Sequence, residues 1–244
     1  MPKIGTAHQP DYLPWIGLFS KIKQSDCFVI ADTFVMGGQG VFNRNRIRTN
    51  TGWLYLTVPV GRKSAGIKML DIAMPPDKNW QKTHWQTIYR NYVHTDFFKD
   101  HKNFFEELYQ RDFDYLWQMN TEIINYLLKC FNIEVEVRKA SEMAVDPNLE
   151  TTDFIIALMA TAGADIYLSG PSGRNYLERG KFSEQNVGLK FIKFEHPVYK
   201  QRYPGFEPNM SAIDLLFNMG PRAGEIIKRR AASKTDRLTE LLLH

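Results

Sequence analysis

The chain has 244 residues, with 31 Lys and Arg against 27 Asp and Glu for a net charge of +4, and 43% of its residues are hydrophobic. That length suits one large domain or two small ones, and that composition excludes a largely disordered chain. No apolar run approaches the ~18 residues that a membrane span needs, and so small a positive surplus does not point to nucleic acid.

Ile4–His8 is short and apolar with β-branched residues, and it reads as a first strand. The strand breaks at Gln9-Pro10-Asp11. Pro14 sits where a helix can start, because the first turn does not use its missing N–H. Trp15, Leu18, Phe19 and Ile22 then recur at helical spacing. Ser25-Asp26 ends the helix, and Cys27–Asp32 reads as a buried parallel strand. The start of the chain therefore predicts a βαβ unit.

Thr33–Asn50 contains Gly37-Gly38-Gln39-Gly40 and Asn43-Arg44-Asn45-Arg46, and it is expected to be a functional loop with room for a short strand. Trp53–Val60 reads as a strand, Gly61–Gly66 as a turn carrying Arg62 and Lys63, and Ile67–Met74 as a strand that pairs back. Asn79 can cap a helix over Trp80–Tyr92. Asp112 can cap a long one, in which Leu116, Ile123, Ile124, Leu127, Leu128 and Phe131 share a face. Ile133–Arg138 is a predicted strand. A helix from Thr151 or Thr152 through Thr161 stops at Gly163. Asp165–Leu168 and Leu189–Phe194 are further strands. Ser211–Asn218, stopped by Gly220, Ala223–Arg230 and Thr235–Leu243 are helices. No repeat or linker interrupts this order. The expectation is one α/β domain over residues 1–244, a mainly parallel sheet flanked by helices, with residues 79–131 as a helical insertion or cap.

The N-terminus lacks the apolar stretch of a secretory signal. Cys27 and Cys130 sit inside apolar sequence and are expected to be free thiols in a reducing, cytoplasmic setting. The common phosphate-loop, dinucleotide and metalloprotease motifs are absent, and Gly170-Pro-Ser-Gly173 has the wrong spacing for a nucleophile elbow. His84, His94 and His101 share no close acidic partner, so no metal site is expected.

Three segments carry chemistry. His8-Gln-Pro-Asp-Tyr-Leu-Pro-Trp15 lies at a strand end, where open α/β sheets bind ligands, and His8 there can move a proton. Asn43, Arg44, Asn45 and Arg46 combine amides with planar forks of donors, which suits a small polar anion. Tyr167-Leu-Ser169-Gly170-Pro-Ser-Gly-Arg174-Asn-Tyr176 runs from a strand into a loop whose backbone N–H groups and Arg174 can cradle phosphate or carboxylate. The competing reading of each is structural: a packed turn, a solvated strand end and a tight connection.

These segments together resemble the WbqC-like protein family. The resemblance rests on His8-Gln-Pro-x-Tyr12-Leu-Pro-Trp15-x-Gly17 with Lys21-Ile22, Asn43-Arg-Asn-Arg46-Ile, Trp53-Leu-x-Leu-Thr-Val-Pro-Val60, and Trp80 with Asn91-Tyr92. It continues through Tyr167-Leu-Ser-Gly-x-x-Gly-Arg174-Asn-Tyr176 and Ser211-x-Ile-Asp-Leu-Leu-Phe-Asn218-x-Gly220. The layout is also similar to the nucleotidylyltransferase-like, Rossmann-like sheets, whose His-x-Gly-His turn here keeps only its first histidine.

The resemblance implies an enzyme of bacterial surface polysaccharide (O-antigen) biosynthesis, an aminoacyl (glycine) transferase acting on an amino sugar. In that reading His8 is the general base that frees the attacking amine. Gln9 lies beside it, and Arg44, Arg46 and Arg174 hold phosphate or carboxylate. Asn43, Asn45, Ser169 and Gly170 orient the acyl oxygen, and Tyr12, Trp15 or Tyr176 stacks on a base or sugar. The donor is a thioester on an acyl-carrier protein or an adenylate made from ATP with Mg²⁺. The alternative is a non-catalytic protein that binds a nucleotide sugar or carbohydrate. Convergence of the three segments on one pocket favours the enzyme.

Overall fold

The computed structural model describes residues 1–36, 40–61 and 66–229. Gly37, Gly38, Gln39, Arg62, Lys63 and the predicted helix Thr235–Leu243 lie outside the described residues. Strands β1 (Ile4–His8), β2 (Cys27–Ile30), β5 (Glu136–Lys139), β6 (Ile166–Ser169) and β7 (Gly188–Phe191) form one sheet. Every pair in it is parallel, and the spatial order is β5-β2-β1-β6-β7. In chain order within the sheet this is third, second, first, fourth, fifth, the Rossmann-like order of a doubly wound fold. Strands β3 (Arg44–Thr49) and β4 (Gly52–Thr57) make a separate antiparallel hairpin.

The predicted βαβ unit is present: β1 leads through α1 (Ile16–Lys23) to β2 in parallel register. Alternation along β2 builds two cores. Phe28 and Ile30 join the core that contains α1, the hairpin, α2 (Asn79–Tyr92), α3 (Phe98–Gln110), α4 (Leu116–Cys130), α7 (Ala212–Met219) and α8 (Ala223–Arg229). Cys27 and Val29 join the other, with α5 (Thr151–Thr161) and α6 (Arg179–Glu184). Residues 79–131 are thus three helices that share a core with α1. Phe19 of α1 meets Phe131 edge-on at 5.1 Å.

Several predicted boundaries shift for local reasons. Ile67–Met74 is not a strand: it makes single bridges from Lys68 to Val35 and from Ala73 to Tyr115 around a short 3₁₀ turn at Met69–Asp71. The expected loop before Asn50 contains a six-residue strand, Arg44–Thr49, whose alternate Asn45 and Ile47 are buried. The strand predicted at Ile133–Arg138 begins at Glu136, because Asn132 (φ +50°) and Ile133, whose N–H returns to Leu128, still close the end of α4. Helix α4 is capped through Tyr115 and Gln118 instead of Asp112. The end of α5 matches its prediction, with Gly163 at φ +63°. Helix α7 is capped by the Ser211 hydroxyl, which accepts from the Ile213 N–H.

No helix among the described residues is long and apolar enough to cross a membrane. Cys27 is buried, Cys130 is half-buried, and both are free thiols.

Candidate functional site

Strand β1 connects towards β2 on one side, while β6 connects towards β7 on the other. The carboxyl ends of β1 and β6 therefore flank the crevice where connections diverge, the usual ligand position in such sheets. The Thr6 hydroxyl donates to the Leu168 carbonyl at 2.7 Å and ties the two strands near these ends. His8 closes β1 and Ser169-Gly170 closes β6, so two of the three predicted segments border one crevice.

The loop after β1 is held on all sides. Asn120, fully buried on α4, donates to the carbonyls of Pro10 at 2.8 Å and Phe42 at 2.9 Å. The Tyr12 N–H also reaches Phe42, and the Pro14 carbonyl accepts from Ala212. Leu13 adopts φ +45°, a left-handed conformation that a branched residue holds only under constraint. The loop is a rigid mount for what it carries.

It carries a cluster of polar groups. Asp11, 1% exposed, accepts from His8 Nε2 at 3.1 Å and from Gln9 Nε2 at 2.8 Å. Behind His8 lies Lys21 of α1, 4% exposed, whose Nζ donates to the Ala7 carbonyl at 2.9 Å and approaches His8 Nδ1 at 3.4 Å. As an ammonium, Lys21 leaves Nδ1 the acceptor, so Nε2 carries the proton that is donated to Asp11. Burial pushes the Lys21 amine down to about 8, against the opposing pull of the Asp11 charge. The His8 side chain is 31% exposed and is the member of this trio open to solvent.

Other predicted residues sit elsewhere. The Tyr12 ring is fully buried in the core, where its hydroxyl meets that of Tyr109 and donates to His84 Nδ1 at 2.8 Å. Burial pushes His84 down to about 4, which keeps that nitrogen neutral and accepting. Tyr12 therefore has no face for a base or sugar. Trp15 is half-buried, edge-on to Phe194 at 5.0 Å and folded across Gly17, where a Cβ would meet the indole at 2.3 Å. Asn43 and Asn45 spend polar atoms on the backbone, Nδ2 to Val58 O and Oδ1 from Arg46 N, both at 2.9 Å. Ser169 Oγ is turned to the Gly170 carbonyl at 3.1 Å. Arg174 is exposed, with its guanidinium 4.3 Å from the Phe191 ring, and Tyr176 is exposed. Arg44 and Arg46 lie on the outer face of the hairpin, over Tyr55 and Trp53.

Two cavities lie away from the crevice. One of about 370 Å³ is lined by Arg111, Phe113, Trp117, Thr121 and Lys139 among others, and one of about 240 Å³ by Arg179, Phe182, Leu189 and Phe191 among others. Neither is lined by His8, Asn43–Arg46 or Ser169–Arg174. We place the candidate site at His8 all the same, since buried titratable groups mark chemistry better than volume does. Among the described residues no group of three or more His, Cys, Asp or Glu is arranged to hold a metal ion.

Asp11, Lys21 and Asn120 are absent from the candidates read off the sequence. Lys21 carried a signal: it stands three residues after Leu18 on a short apolar helix, where a charge needs a buried partner. Asn120 carried none, because its partners are 110 and 78 residues away.

The comparisons agree with the resemblance drawn from the motifs. The model of the WbqC-like protein family matches residues 9–226. A Mycobacterium tuberculosis (strain ATCC 25618 / H37Rv) protein, Rv1507c, described as uncharacterized, is 29% identical over 222 residues, covering 90% of this chain and 95% of its own. No solved structure matches the chain.

Proposed function

The chain belongs to the WbqC-like protein family, and from that premise we propose that it is an acyl-transfer enzyme, moving a glycyl or similar aminoacyl group onto the amine of a nucleotide-linked amino sugar for surface polysaccharide such as O-antigen. The observation that carries this reading is the His8–Asp11 pair, backed by buried Lys21, at the crevice between β1 and β6. A sugar amine must lose a proton before it attacks. Asp11 and Lys21 are buried, and His8 is the group of this cluster that an incoming ammonium can reach. His8 takes the proton, and Asp11 stabilises the resulting imidazolium. The amine nitrogen then bonds to the acyl carbon, the bond to the leaving group breaks as that group takes the second proton shed by the nitrogen, and the imidazolium releases the first proton to solvent. Gln9 fixes Asp11, and Ser169 and Gly170 border the acyl group.

The residues at hand do not fit an adenylating centre that uses ATP with Mg²⁺. The turn has one histidine, and both Asp11 oxygens are engaged by His8 and Gln9. The donor in this proposal is a thioester, as on an acyl-carrier protein.

The test supplies a glycyl thioester and UDP- or dTDP-linked amino sugars and reads amide formation by mass spectrometry. His8→Ala is expected to lower turnover by about 10²–10⁴-fold with the circular dichroism spectrum unchanged. Full activity in that variant removes His8 from the mechanism. Binding of the nucleotide sugar with no turnover under any donor supports the non-catalytic reading.

A further inference from the structure

The β3–β4 hairpin has one face in the core and one outside. In its register Arg44 opposes Thr57, Arg46 opposes Tyr55 and Arg48 opposes Trp53, so these six share a face. Asn45, Ile47 and Leu56 on the other face are buried. The outer face exposes two large rings, Trp53 at 43% and Tyr55 at 40%. Solvent-facing strand positions are normally polar, so two adjacent exposed aromatics need a reason.

The arginines differ in what they have spent. Arg48 is buried, and its fork donates to the carbonyls of Thr49, Gly52 and Pro204. Arg46 lies 4.4 Å from the Trp53 ring and, among the described residues, gives only its Nε, to the Tyr55 hydroxyl at 3.3 Å. Arg44 lies 4.8 Å from the Tyr55 ring. Among the described residues neither Arg44 nor Arg46 has a carboxylate at ion-pair distance. A guanidinium stacked on a ring is immobilised through its face, and the N–H edge stays free for bidentate contact. Two such forks start two residues apart on one strand, about 7 Å along it. The face offers donors and π-surface, and none of its six residues is acidic. That chemistry selects an anion attached to a flat ring.

We propose that this face is a nucleoside-diphosphate site, in which Arg44 and Arg46 each take one phosphoryl group and Trp53 stacks on the base. The proposal rests on the reading that the acceptor sugar is nucleotide-linked, and it supplies the handle for it. The site is continuous with the crevice loop through the backbone. Phe42, just before β3, accepts from Tyr12, and Arg46 O accepts from Ser211, whose neighbour Ala212 bonds to Pro14. Two unpaired guanidiniums suit one diphosphate. A nucleic-acid strand would need a longer basic track.

The test titrates the full chain with UDP, dTDP, ADP, uridine and inorganic pyrophosphate by calorimetry. At least one nucleoside diphosphate is expected to bind, with pyrophosphate and uridine each weaker. Arg46→Lys keeps the charge but loses the fork, and it should weaken the diphosphate about tenfold. Trp53→Ala should erase the advantage of the diphosphate over pyrophosphate. Circular dichroism and melting temperature certify the variants as folded. No binding by the native chain, equal binding by a folded Arg44→Ala/Arg46→Ala variant, or tighter binding of a single-stranded oligonucleotide overturns the proposal. The two readings fail separately. Hairpin-dependent nucleotide binding without any amide formation sinks only the transferase. Amide formation with an unchanged KM for the sugar nucleotide in the double variant sinks only the hairpin site.

Discussion

Asp11 and Asp214 are both almost fully buried carboxylates, 1% and 0% exposed, in different surroundings. Asp214 on α7 accepts from the hydroxyls of Tyr92 at 2.9 Å and Tyr199 at 2.7 Å and from Gln201 at 2.9 Å. Its pKa is nevertheless raised, because burial outweighs those hydrogen bonds. Each of these donors is neutral and enclosed. They lock α7 to α2 and to the segment after β7, and Tyr92 in turn receives the Arg48 N–H of the hairpin. Asp11 faces a lysine and a histidine, and the histidine reaches solvent. A buried carboxylate alone does not locate chemistry. A titratable partner with access to the outside does.

Variants can sharpen that contrast. The largest effect on turnover belongs to His8→Ala, with the melting temperature little changed because the side chain is partly exposed. The largest effect on stability belongs to Asp214→Ala. It leaves two or three buried donors without an acceptor, each costing about 1–3 kcal/mol, so denaturant unfolding should show a loss of roughly 3–5 kcal/mol. A loss below about 1 kcal/mol would mean that the hub is a minor element.

The pH dependence separates two further groups. His84 has a folded pKa of about 4 against an ordinary 6.5. It is neutral in both states above pH 6.5. As pH falls from 6.5 towards 4, the unfolded chain takes up a proton that the folded chain refuses, and stability is lost. The expected loss is about 2 kcal/mol between pH 7 and pH 5. His84→Gln, which keeps an acceptor for Tyr12, should flatten that slope. An unaltered slope would assign the acid sensitivity to other groups.

Lys21 works at the other end of the scale. Its folded pKa, about 8, lies below the ordinary 10.5, so the native state carries the cost of the buried charge in full below pH 8. Between those values the unfolded chain holds a proton that the native chain has shed, and stability rises with pH. Lys21→Met should abolish that rise and, because it removes the cation facing buried Asp11, lower stability at pH 7 by about 3–5 kcal/mol. It should also shift the alkaline limb of the activity profile. A Lys21→Met chain as stable as the native one would show that the burial cost of the ammonium cancels its attraction to Asp11.

Local pattern made much of the framework legible. The apolar run at Cys27 announced a buried strand, and the spacing of Leu18, Phe19 and Ile22 announced α1. Gly163 and Gly220 marked helix ends because each takes a positive φ, +63° and +51°. The polar sequence Arg44–Thr49 read as a loop with room for a short strand, and all six residues are strand because Ile47 enters the core and Asn45, Arg48 and Thr49 are buried with their polar groups. Ile67–Met74 looked like a strand because its apolar content fits one, yet its carbonyls and amides are shared out between two segments, residues 32–36 and 114–116.

The sequence by itself determined the parallel sheet, the position of His8 at a strand end and the family, because periodicity, caps and contiguous motifs are local properties. Only the tertiary structure decided which residues stand around His8. Lys21 and Asp11 meet it through a crossover and a strained turn, and Asn120 reaches that turn from more than a hundred residues away. It also decided that Tyr12 is core and that Arg48 is spent while Arg44 and Arg46 are not. Burial and the partners of a charged group depend on what the rest of the chain brings to it, and no spacing rule encodes that.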